Sequence, residues 1–139
     1  MKKQLFLIAV IGAIFPAVAL GGSAAKISFG STLKGGAETP KGAPAGKGTA
    51  AVTITGTKVC WRLTYSGIDK PTAAHIHKGR PGVAGPVVVP FGAAFKPIGC
   101  IASTAAVVKG IETNPAGYYV NIHTAKFPGG AVRGQLKKQ

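Results

Sequence analysis

The stretch "TAAVTITGTKVCWRLTY", Thr49 to Tyr65, decides the fold class. Ala50, Val52 and Ile54 alternate with Ala51, Thr53 and Thr55, and the β-branched content suits a pleated, half-buried surface. "GTK" then turns the chain. Past it, Val59, Trp61, Leu63 and Tyr65 take one face and Cys60, Arg62 and Thr64 the other. The two halves form an antiparallel hairpin, with the bulky residues of both directed at one core.

The same rhythm extends outward. "KISFGSTL" sets Ile27, Phe29 and Leu33 against Ser28, Gly30 and Thr32, as a strand does. "GGAETPKGAPAGKG" is too rich in glycine and proline for regular structure and is a loop. "TAAHIH" and "PVVVPF" are short strands around the turn-forming "KGRPGVAG", "GCIAST" is another, and "YYVNIHT" and "AVRGQL" make a last pair joined by "AKFPGG". "AAVVKGIETNPAG" is the one segment with room for a helical turn. The expectation is all-β: a compact antiparallel Greek-key or immunoglobulin-like sandwich or barrel of about eight short strands. A sheet of this kind must close or cover its edges.

The first residues have a different character. "MKKQLFLIAVIGAIFPAVALGGSAA" places two lysines before an apolar run and small residues after it, the organisation of a secretory signal peptide spanning residues 1–25. Residues 26–139 then form one domain, exported to the periplasm, the cell envelope or the outside, with no membrane span after cleavage. In that compartment Cys60 and Cys100, the only two cysteines, are expected as a disulfide.

The chain carries 17 basic and three acidic residues, a formal charge of +14 that becomes +12 without Lys2 and Lys3. Such a charge favours anionic envelope polymers or another exported protein as partner. Nucleic acid is not indicated, because the basic residues are scattered singly without interleaved aromatics. The oligomeric state is not legible. Glu38, Asp69 and Glu112 lie in separate segments, which speaks against paired-carboxylate hydrolysis. "STLK" lacks the companion motifs of Ser-x-x-Lys enzymes, and "GAPAGKGT" has the wrong spacing for a phosphate loop. No catalytic residue is assigned. Glu38 is expected to pair with Arg133, tying the long first loop to the last strand.

The chain has three histidines. His75 and His77, two apart in a strand, share a face, and Tyr119, Asn121 and His123 share one in "YYVNIHT" while Tyr118, Val120 and Ile122 face the core. If these strands are neighbours, His75, His77 and His123 converge into a candidate copper or zinc site, since imidazole suits both metals. The competing reading is that the rings hydrogen-bond backbone groups and hold no metal.

"AHIHKGRPGVAGPVVVPF" followed by "GYYVNIHTAKFPGGAVRGQL" resembles the CHRD domain, the module named after chordin and found in exported microbial proteins. "ISFGSTLKGGAETP" and "VCWRLTYSGI" extend the likeness from Ile27 to Leu136. The resemblance implies an extracytoplasmic all-β domain and points to His75, His77, His123, Glu38, Arg133 and Gln135 as its motif residues. It departs at Ala131, where relatives often carry an acidic residue after Pro-Gly-Gly. The His-x-His strand with a distant third histidine is more loosely similar to the copper half of copper–zinc superoxide dismutases, although the fourth copper histidine and the zinc ligands have no counterparts. Three readings follow: a non-enzymatic exported binding or structural module, a dismutase-like copper redox protein, and a cationic adhesion or matrix module without metal.

Overall fold

The computed structural model describes residues 22–139. The signal peptide expected over residues 1–25 lies outside the described residues, apart from residues 22–25. Nine strands and one helix follow in order: β1 Lys26–Lys34, β2 Lys47–Thr55, β3 Lys58–Ser66, β4 Pro71–Lys78, β5 Val87–Pro90, β6 Ile98–Ala102, α1 Ala105–Thr113, β7 Tyr118–Thr124, β8 Val132–Gln135 and the two-residue β9 Lys137–Lys138. They form one sheet in the order β5-β4-β7-β8-β1-β2-β3-β6, with β9 paired to β1. Every pairing is antiparallel. The fold is all-β, as the alternation indicates.

The hairpin forms as read. Thr55 pairs with Lys58 across a two-residue turn, and Gly56 takes φ 58°, the positive value that the first position of a type II′ turn demands and glycine meets without strain. Val52, Ile54 and Val59 are fully buried, each stabilising the domain by about 1.5–3 kcal/mol through area removed from water. Tyr65 departs from its face-mates. It is 42% exposed, standing edge-on to Phe95 near the strand end, where the core has already closed.

The sheet curls until its two ends share a core. Trp61 of β3 stacks on Phe91, just after β5, with ring centroids 4.3 Å apart and planes 4° from parallel. Phe95 N–H donates to Thr72 O and Leu63 N–H to Pro97 O, so the segment between β5 and β6 bridges the opposite ends of the sheet. The cysteines face each other across β3 and β6 and are joined as Cys60–Cys100, stapling edge strand β6 in place.

The helix is longer than the single turn expected. Thr104 caps it, its hydroxyl accepting from Val107 N–H at 3.3 Å, and Val108 and Ile111 turn one apolar stripe onto the core. Pro115 restricts Asn114 before it and ends the helix there.

Candidate metal centre

Strands β4 and β7 are neighbours, in the register Ala73↔His123, His75↔Asn121 and His77↔Tyr119. On the other side of β7, Asn121 pairs with Arg133 and Tyr119 with Gln135 of β8. Strand alternation therefore puts His75, His77, Tyr119, Asn121, His123, Arg133 and Gln135 on one face. Ala74, Ile76, Val120, Ile122 and Val132 take the opposite face and belong to the core. His123 lies diagonal to His75, within cross-strand reach.

This polar face is not open to water. All seven residues of β7 are buried, because two loops fold over its polar side. The loop after β4, residues 79–86, is tied down by the face itself. Arg133 donates from Nη1 to Val83 O and from Nη2 to Arg80 O, both at 2.8 Å. Gln135 Nε2 donates to Gly79 O at 2.9 Å, and Gly85 N–H donates to the Tyr119 hydroxyl at 3.2 Å. Gly85 fits only because it lacks a Cβ, which would collide with the Lys78 carbonyl. The loop over residues 125–130 is fixed by the bond from Gly130 N–H to Phe127 O, while Ala131 N–H donates to Ile122 O where the chain enters β8.

The loops set the imidazole tautomers. His77 Nδ1–H donates to Gly85 O and His123 Nδ1–H to Pro128 O, each at 2.8 Å. A carbonyl only accepts, so in the neutral rings the proton is on Nδ1 and the lone pair on Nε2. His123 Nε2 lies 3.0 Å from His75 Nδ1 and 3.0 Å from Asn121 Oδ1. His77 Nε2 is buried with no hydrogen-bond partner. One donor nitrogen from each ring falls within 4.8 Å of the others. Two nitrogens sharing a zinc ion at about 2.0 Å are about 3.3 Å apart at the tetrahedral angle. The 3.0 Å between His75 and His123 is already close to that value, and the widest spacing allowed, 4.8 Å, needs closing by about 1.5 Å.

Burial keeps the imidazoles in the uncharged form that can ligate a metal. Burial first, then the neighbouring His123 and His77, pushes His75 down to about 4. Burial is the largest influence on His77 and His123 as well, and both are lowered although their carbonyl partners favour the charged form. These shifts favour the neutral rings at neutral pH, with the lone pair on Nε2 in His77 and His123 and His75 Nδ1–H donating to His123 Nε2. A buried unpartnered nitrogen is costly in an empty polar site, and a metal ion satisfies it.

His77 is held further by stacking. The Tyr119 ring lies parallel to it, centroids 4.8 Å apart and planes 6° from parallel, and the Arg133 guanidinium sits 3.4 Å from the Tyr119 centroid. This stack and the orienting carbonyls of Gly85 and Pro128 have no signature in residue spacing. The density of glycine and proline in "KGRPGVAGP" and "KFPGG" is the only cue that these loops are shaped for a purpose.

The Glu38–Arg133 pair expected from the sequence is corrected by the structure. Both side chains are buried, but the Arg133 fork is used on Val83 O, Arg80 O and Gln135 Oε1, and Glu38 Oε1 has no hydrogen-bond partner. Arg133 acts on the carboxyl through space. Burial pushes Glu38 up to about 7, outweighing Arg133, the Asn121 amide and the Thr39 N–H, which favour ionisation. The carboxyl is pressed against Gly130, where a Cβ would leave it no room. Glu38 therefore joins the first loop to the 125–130 loop by packing, not through a salt bridge.

No curated protein and no solved structure matches this chain. The model of one family does, over residues 29–136, a span that contains the three histidines, Glu38, Arg133, Gln135 and both cysteines. With nearly all of its described strands inside that match, the chain belongs to the CHRD-domain family.

Proposed function

We propose that this CHRD-domain chain is an exported, non-enzymatic binding module that holds one copper or zinc ion on His75, His77 and His123. The carrying observation is the orphaned, buried Nε2 of His77 beside two further imidazole nitrogens on the same face. Rings that only braced loops would need their Nδ1 bonds and nothing more. Here Nδ1 of His77 and of His123 serves a loop, His77 Nε2 is left without a partner, and His123 Nε2 meets His75 and Asn121 on the same face. The Cys60–Cys100 disulfide fits an oxidising compartment, and no helix among the described residues is long and apolar enough to cross a membrane.

Titration of the purified protein with Cu(II) and Zn(II) is the direct test. Saturation at one ion per chain, lost on removing the histidines, is expected. Unchanged affinity in all of His75→Ala, His77→Ala and His123→Ala would show the reading to be wrong.

A second reading, a dismutase-like copper protein, is favoured by the partial exposure of His75, which leaves one side of the site accessible to a small oxidant. A superoxide-consumption assay on the copper-loaded protein separates the two readings. Binding to anionic polymers that collapses at high ionic strength and ignores metal would instead support the cationic module.

A further inference from the structure

The three histidines are not equivalent. His77 and His123 are only 8% and 9% exposed, and each ring is locked through Nδ1 to a loop carbonyl. His77 is also clamped flat against Tyr119. His75 is half-buried and has no loop carbonyl. Among the described residues its one side-chain hydrogen bond runs from Nδ1 to His123 Nε2, at 3.0 Å. That nitrogen of His123 is the atom an ion would take.

Loading therefore affects the rings differently. An ion on His123 Nε2 removes the lone pair to which His75 donates, and so removes the only hydrogen bond holding the His75 ring. The bonds that hold His77 and His123 use their other nitrogens and survive. The strand around His75 imposes little more. Its β5 partner is Pro90, on an edge strand. Its two donor choices also differ in setting: Nδ1 is turned toward His123, and Nε2 belongs to a ring that solvent reaches.

We infer that His77 and His123 are the fixed pair of the site and that His75 is its exchangeable ligand, so that the ion enters and leaves on the His75 side by substitution with an incoming imidazole-type donor. This rests on the metal-binding reading and adds a direction to it: the site is built to take up and pass on an ion, with two anchored ligands retaining it while the third is replaced.

The test is chemical rescue. Zn(II) affinity is measured for the parent chain, His75→Ala, His77→Gln and His123→Gln, each with and without free imidazole; glutamine keeps side-chain volume and an N–H donor at the two buried positions. His75→Ala is expected to keep one ion per chain at reduced affinity, with imidazole restoring it. His77→Gln and His123→Gln are expected to lose saturable binding, and imidazole, excluded from their sites, does not restore it. Equal loss in all three with no rescue of His75→Ala overturns the exchangeable-ligand inference and leaves the metal site standing. Rescue of all three alike overturns it too. Affinity unchanged in every variant overturns the metal reading itself.

Discussion

Tyr119 lies flat on His77, ring over ring at 4.8 Å, with Arg133 stacked on the opposite face of the tyrosine. One aromatic ring thus couples a candidate ligand to the residue that anchors the covering loop. Tyr119→Ala should destabilise the chain by about 3–5 kcal/mol, the range for losing a buried aromatic. Tyr119→Phe keeps the stack and removes only the acceptor for Gly85 N–H, at about 1 kcal/mol. Urea denaturation of both variants checks this. Equal losses would show that the stack contributes nothing.

Arg133 makes three side-chain hydrogen bonds on the polar face. Arg133→Ala leaves the carbonyls of Val83 and Arg80 and the Gln135 amide oxygen without their donor, and the expected cost is about 3–5 kcal/mol. Arg133→Lys should recover little, because one ammonium cannot reproduce a planar fork serving separate acceptors. Full recovery of the midpoint by lysine would contradict the assignment.

The backbone of the covering loop should matter to the metal as much as to the fold. A methyl at Gly85→Ala meets the Lys78 carbonyl and displaces the acceptor of His77 Nδ1–H. Metal affinity should fall by about 10–100-fold, as for other losses of a group that orients a ligand. Isothermal titration with Zn(II) reads this out, and parent-like affinity in a folded Gly85→Ala protein would count against the loop's orienting role.

In the metal-free protein, stability should respond to pH in two opposed ways. His75 has a folded value near 4, below its ordinary 6.5. Its contribution is in place above 6.5 and fades as pH falls through 4. Glu38 has a folded value near 7, above its ordinary 4.5, so its contribution is in place below 4.5 and fades as pH rises through 7. Glu38→Gln should therefore make stability climb more steeply with pH from 4.5 to 7 than in the parent. Denaturation series in the presence of a chelator measure both slopes; identical slopes would refute the burial of a neutral Glu38.

The disulfide closes a 40-residue separation. Replacing both cysteines by serine should cost about 4 kcal/mol on the chain-entropy model, and denatured parent protein should show no titratable thiol.

Much of this was legible in the alternation. The β2–β3 hairpin, the β4–β5 and β7–β8 pairs and the shared face of His75 and His77 all follow from the two-residue period of a strand. The convergence of His123 depended on β7 lying beside β4, which periodicity cannot supply because it says nothing of neighbours far apart in sequence. Glu38 shows the other limit. Opposite charges drawn toward one place suggested a salt bridge, but the loop carbonyls compete for the arginine fork, and residue types do not reveal which acceptor wins. Tyr65 fell outside the core for a similar reason, since a face continues along a strand after the layer covering it has ended.

The Trp61–Phe91 stack has an experimental consequence. Trp61 is the only tryptophan in the chain, and it sits where β3 meets the segment leaving β5, on the core side of the sheet. Its emission is a single-site optical reporter of whether the curl is shut. The histidines occupy the opposite face, so fluorescence and metal uptake report on separate events in one molecule.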